Sequence, residues 1–198
     1  MGRGHGSGRG TSAKAGGFQG DASMKGYSAG LAKAMTARED EIRGSANERV
    51  SIFDEQGNEV YRNDNGSRNH VEYNAGWAKD NIMTHSHPRN SSLSADDVVE
   101  GAIRWNMKET RAVAPNYTFT MKRPAKGWGV NDMDSFKKAR SLYAKITKRV
   151  TNEMLAYTKS YKGNFSTAAK RAELIGEHRI NKEFAKAMGY EYTAVRTK

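Results

Sequence analysis

The sequence predicts an α/β fold, a sandwich built on a small sheet and followed by a basic helical extension. Three observations carry this. Helical apolar spacing over residues 28–43 gives way to two extended runs about a turn at 48–62. A short apolar run at 81–85 leads into a helix-opening pattern at 94–105, and apolar residues recur at helical spacing over 136–188. The order helix, hairpin, strand, helix, strands suits an α/β sandwich better than an all-helical chain. A length of 198 residues accommodates one well-packed core with appended elements. Hydrophobic content of 36% and a mean hydropathy of −0.86 are low. The apolar residues are nevertheless clustered and periodic, so part of the chain folds.

Residues 1–28 are rich in Gly and Ser, carry Arg3, Arg9 and Lys14, and hold no acid before Asp21. They read as a flexible Gly/Arg-rich tail, because such a composition buries too little surface to order itself. Leu31, Ala34, Met35 and Ile42 then mark an amphipathic helix that stops at Gly44. Residues 48–54 and 59–62 flank a Gly57-Asn58 turn and read as a β-hairpin, with a third short strand near residues 70–73. The short run ending at His85 reads as an interior strand closed by Pro88. Ser94 is placed to cap the following helix, which runs through Val98, Val99, Ala102, Ile103 and Trp105. Extended pieces follow at 110–113 and 117–121.

The remainder reads as helical. Phe136, Ala139, Leu142, Tyr143, Ile146, Val150, Met154, Tyr157 and Tyr161 share one helix that ends near Gly163. Ser166 is the expected cap of another, through Ala169, Ala172, Ile175, Phe184 and Met188, stopped by Gly189. Such stripes read as packing surface. The division expected is a tail at 1–28, a metal-binding domain at 29–125 and a basic helical extension at 126–198.

Charge is distributed unevenly. Residues 1–120 hold 15 Lys/Arg and 15 Asp/Glu, whereas 121–198 hold 18 Lys/Arg and seven Asp/Glu, which is the whole net charge of +11. That asymmetry points to nucleic acid or another acidic partner for residues 121–198, the bland reading being a solvated helical face. No stretch has the length of a membrane span and no secretory signal opens the chain, so the expected location is cytoplasmic, in a host cell or a virion if the protein is phage-encoded.

The chain has no cysteine, so any metal must be held by His, Asp or Glu. His85 and His87 stand two apart on an extended run and so project to one side, where both imidazoles can meet one ion. Asp97, in the first turn of the next helix, completes a His-His-carboxylate set that leaves one zinc position open, the arrangement hydrolysis uses. Ser94-x-x-Asp97 taken alone is equally a capping arrangement. Asp96 is the alternative ligand.

His85-x-His87-Pro88 followed by Ser94-x-x-Asp97, with a glutamate on an upstream strand, resembles the signature of the JAMM/MPN+ zinc metalloproteases. Residues 47–59 and 82–88 are similar to JAMM-like domains of bacterial toxin-system and phage proteins, and the likeness covers about residues 47–121. The resemblance implies an α-β-α sandwich with a small mixed sheet. It implies Zn2+ held by His85, His87 and Asp97, Glu48 as general base, and Ser94 as donor to the developing oxyanion. Glu55 and Glu59 compete for the base role from the turn, where solvated carboxylates are expected. Nine residues separate His87 from Asp97 where the family pattern has ten.

The resemblance further implies a zinc-dependent peptidase or isopeptidase acting on a protein substrate, ubiquitin-like or a polyprotein. The alternative is a basic nucleic-acid-associated or phage structural protein with this core as scaffold. A metal-dependent nuclease is the third reading, disfavoured because one His-x-His and one acid offer no second metal.

Overall fold

The computed structural model describes residues 22–197, so most of the Gly/Arg-rich tail lies outside the described residues. Within residues 22–28, which composition assigns to that tail, Met24 is buried and the Tyr27 hydroxyl donates to Glu109.

Helix α1 spans Ala29–Ile42. The Ser28 hydroxyl accepts the Leu31 N–H at its start, and Leu31, Met35 and Ile42 line its buried face. Strands β1 (Val50–Phe53) and β2 (Glu59–Asn63) form the expected hairpin. Its turn is tied by the Asp54 carboxylate, which accepts the Gln56 and Asn58 N–H groups at 2.9 Å each. Gly57 is needed there twice over. Its φ is +92°, and a Cβ would come within 2.9 Å of the Leu31 backbone at the start of α1.

The sheet is mixed and open, in the order β2-β1-β3-β4-β5-β6, with β3 (Ile82–Ser86), β4 (Glu109–Val113), β5 (Tyr117–Lys122) and β6 (Glu191–Arg196). Only β3 and β4 run parallel, and the crossover between them carries a short helix, Asp96–Ile103. Alternation along the strands sorts residues between two layers. Phe53 and Ile82 pack on α1, while Val50, Ile52, Met83, Ala112, Phe119 and Met121 face the other side. There they meet the crossover helix together with α2 (Met133–Ser160) and α3 (Phe165–Met188). The result is a generic α-β-α sandwich.

Three differences from the sequence reading stand out. Residues 70–73 form no strand; this segment is a loop held by Asn63, which donates to the Glu72 carbonyl, and by the Glu48 N–H, which donates to Ser67. Asn164, not Ser166, caps α3, accepting the Thr167 N–H at 3.0 Å. The tail after Gly189 is strand β6, whereas the periodicity suggested only helix. As the reading of their apolar stripes as packing surface expects, α2 and α3 contribute Phe136, Ala139, Tyr143, Val150, Ile180 and Phe184 to the same cluster as Val50 and Met83.

Underneath α1, charge is buried and paired. The Arg111 guanidinium is fully buried and meets Glu39 at 2.6 Å and Glu109 at 2.8 Å, with Ser23 closing the set. Breaking such a set by removing one partner leaves an uncompensated charge. No helix among the described residues is long and apolar enough to cross a membrane.

Candidate metal centre

Strand β3 delivers the histidines at its end. Val50 of β1 pairs with His85, and Ala112 of β4 lies on its other side, a small neighbour that leaves space over the ring. The next residue outward is held as well, since the His87 N–H donates to the Val113 carbonyl at 2.9 Å. Both rings are buried.

The ring nitrogens and the Asp97 carboxylate converge. His85 Nε2 lies 2.9 Å from His87 Nε2, 3.0 Å from Asp97 Oδ1, and His87 Nε2 lies 3.4 Å from Asp97 Oδ2. Tetrahedral zinc with bonds of about 2.0–2.1 Å separates its donors by about 3.3 Å, so the observed spacing is that of a slightly contracted tetrahedral face. His85, His87 and Asp97 form the cluster able to hold a metal ion among the described residues. The loop that is one residue shorter than the family pattern therefore still brings Asp97 to the histidines. Asp96 is exposed and outside the cluster.

Two local features prepare these donors. The Ser94 N–H donates to Asp97 Oδ2 at 2.7 Å, and Ser94 Oγ accepts the Asp97 N–H at 3.1 Å. This reciprocal box fixes the carboxylate as it opens the crossover helix. At His87, Nδ1 lies 3.2 Å from the Ser91 carbonyl, which can only accept. The Ser91 hydroxyl lies 3.1 Å from the same nitrogen; with the Nδ1 proton given to the carbonyl, the neutral ring keeps its Nε2 lone pair for the cluster. His85 differs, because its Nδ1 is buried with no hydrogen-bond partner among the described residues. A ligand histidine ordinarily has such a partner.

The electrostatics couple the three groups. Burial opposes charge on His87, yet the hydrogen bond and charge of Asp97, helped by Glu48, raise it to about 9. Burial works to raise Asp97, but His85 and His87 outweigh it and hold the carboxyl well below its ordinary value. The cluster free of metal is thus a protonated pair, and a metal ion must displace the proton.

Glu48 borders the same cleft of about 400 Å³, together with His85, His87, Ser94 and Asp97. It lies two residues before Val50, the partner of His85, in the segment that leads into β1. Burial raises its carboxyl, against the pull of His85 and His87. The rival glutamates sit elsewhere. Glu55 pairs with Lys108, and Glu59 with Arg62 at 3.0 Å, neither bordering the cleft.

Sequence reasoning missed the wall supplied by α3. Glu177 accepts the Ser92 N–H at 2.9 Å and borders the cleft. Fully buried Asn181 donates to the Leu93 carbonyl at 2.7 Å and to Ser92 Oγ at 3.2 Å, and accepts from the Tyr143 hydroxyl at 3.2 Å. Ser92 Oγ also meets the Tyr192 hydroxyl at 2.8 Å, which in turn lies 3.0 Å from His178 Nδ1. These groups clamp the loop that runs from His87 to Ser94. The available signal was Asn181 lying within the buried stripe of Ala172, Gly176, Ile180 and Phe184.

The crossover helix itself is wound wide, with bonds five residues apart such as Arg104 N–H to Val99 O at 3.2 Å. A Cβ on Gly101 would meet Asp96 O at 2.9 Å and the Tyr73 hydroxyl at 3.1 Å, so glycine is required at that turn. Wide turns of this kind recur at functional sites.

No family model, curated protein or solved structure matches the chain.

Proposed function

We propose that the chain is a zinc-dependent peptidase or isopeptidase of the JAMM type, hydrolysing an amide bond in a protein substrate. The observation that carries this is the convergence of His85, His87 and Asp97 at 2.9–3.4 Å within a cleft that Glu48 also borders. His85, His87 and Asp97 would hold the zinc ion, which would supply Lewis acidity toward the amide carbonyl and the attacking water.

The chain's own groups account for the proton and the charge. Glu48 takes the proton from the water and returns it to the leaving amine, and its raised carboxyl makes it a better acceptor than an ordinary glutamate. Ser94 has a hydroxyl proton used in no hydrogen bond among the described residues, which leaves it free to donate to the carbonyl oxygen as negative charge develops there. The Ser94–Asp97 box and the Asn181 clamp hold these groups in position, which matters because a misplacement of about 1 Å can cost about 10²-fold in rate.

The test uses the full chain with zinc and two fluorogenic substrates, a linear peptide and one joined through a lysine side chain. Wild type is expected to cleave at least one of them and to stop on chelation, while Glu48→Gln retains zinc and loses turnover. Wild-type turnover by Glu48→Gln contradicts the mechanism.

A further inference from the structure

The cleft over the histidines opens into a neighbouring groove of about 770 Å³, and the two share Arg68, Arg89, Ser91 and Glu173 as lining. The groove adds Lys170 and Arg171 from α3. Four cations therefore converge from three separate segments: the loop after β2, the loop after β3 and the first turns of α3. All four are exposed, and none has an ion-pair partner among the described residues. Elsewhere on the same helices the arginines are neutralised in place, Arg149 and Arg179 each by Glu153 and Glu183. Exposed lysines of these helices such as Lys137, Lys145 and Lys182 have no ion-pair partner among the described residues either, so what sets the groove apart is the convergence of its cations beside the metal cluster. An unpaired set drawn together from distant parts of the chain beside a reactive centre is built for an anion.

We propose that this groove is the substrate-binding arm of the metal centre and takes an acidic peptide segment flanking the scissile amide. The inference rests on the amide-hydrolase reading and adds a substrate class to it. The distribution of acids favours a peptide over a nucleic acid. Glu173 lies within the groove, and Asp96, Glu100 and Glu177 border the cleft but not the groove. A phosphate backbone running on into the cleft would meet that acidic rim at every step. A peptide carries its charge on chosen side chains, so acidic residues can occupy the groove while the scissile bond and the chain beyond it stay neutral or basic. The rim acids then reject a substrate entering in the reverse direction.

The experiment measures fluorescence anisotropy of labelled hexaglutamate and labelled hexathymidylate on the full chain. It compares wild type, Arg89→Glu/Lys170→Glu/Arg171→Glu, and a separate Arg68→Glu variant, with zinc content determined on every sample. Because these side chains are exposed, retained zinc reports an intact centre in the variants. Hexaglutamate is expected to bind wild type, to weaken as salt rises, and to lose about tenfold or more in the triple variant and less in Arg68→Glu. Hexathymidylate, a polyanion that the same cations also attract, is expected to lose less affinity than hexaglutamate in the triple variant. Equal hexaglutamate affinity in wild type and both variants overturns the proposal, as does a larger loss for hexathymidylate than for hexaglutamate. Groove-dependent hexaglutamate binding by a chain that holds no zinc would instead count against the hydrolase reading alone, so the two failures are distinguishable.

Discussion

Ser94 and Asp97 hold each other at both ends, the Ser94 N–H donating to the Asp97 carboxylate at 2.7 Å and the Asp97 N–H donating to the Ser94 hydroxyl oxygen at 3.1 Å, and the carboxylate so fixed is the one that meets His85 and His87. A single residue thus opens a helix and completes a candidate metal site. The two uses are separable because only one half of the box depends on the Ser94 side chain.

Replacing Ser94 by Ala removes the hydroxyl and leaves the backbone N–H on Asp97. Urea unfolding should show a loss of about 1 kcal/mol, the usual worth of such a cap. Zinc content should stay at the wild-type level while kcat falls by about 10²-fold, the loss of one oxyanion donor. Unchanged kcat would confine Ser94 to capping.

Asn181 acts through the loop it clamps. Asn181→Ala strands the Leu93 carbonyl and the Tyr143 hydroxyl in the interior, and the loop from His87 to Ser94 loosens. Zinc affinity, read by competition with a chromophoric chelator under native conditions, should fall by about 10- to 100-fold, as when support behind a ligand is removed. Affinity equal to wild type would show that the loop holds its shape unaided.

The protein without metal should have a stability window set by one pair. His87 is raised from 6.5 to about 9, so its contribution is full below 6.5 and lost as pH rises through 9. Asp97 is held below 3.8, so its contribution is present above that value and lost as pH falls toward its folded value. Urea midpoints of chelator-treated protein should accordingly drop between pH 7 and pH 10. Zinc must displace the His87 proton below pH 9, so calorimetry at pH 7.5 in buffers of different ionisation heat should report about one proton released per zinc. Release of none would contradict the pairing.

Much of the fold was legible because its signals are local. Leu31, Met35 and Ile42 mark α1 by spacing, the Gly57-Asn58 turn marks the hairpin, and the short Ile82-Met83-Thr84 run ahead of His85 marks β3. The His85, His87 and Asp97 cluster was legible because all three lie within thirteen residues of sequence around one strand end and one helix start. Strand β6 was not, since its exposed and half-buried residues take their conformation from pairing with β5, a partner some 70 residues earlier. Glu177 and Asn181 were hidden for a related reason. Their importance comes from the loop they meet about 85 residues away, and nothing within α3 announces that loop.

The central claim is that His85, His87 and Asp97 hold one zinc ion, and elemental analysis of purified protein tests it most directly. Wild type and Asp96→Ala should each carry one zinc per chain, and His87→Ala and Asp97→Ala should carry none while remaining folded by circular dichroism. Zinc retained in folded His87→Ala, or lost in Asp96→Ala, would contradict the account.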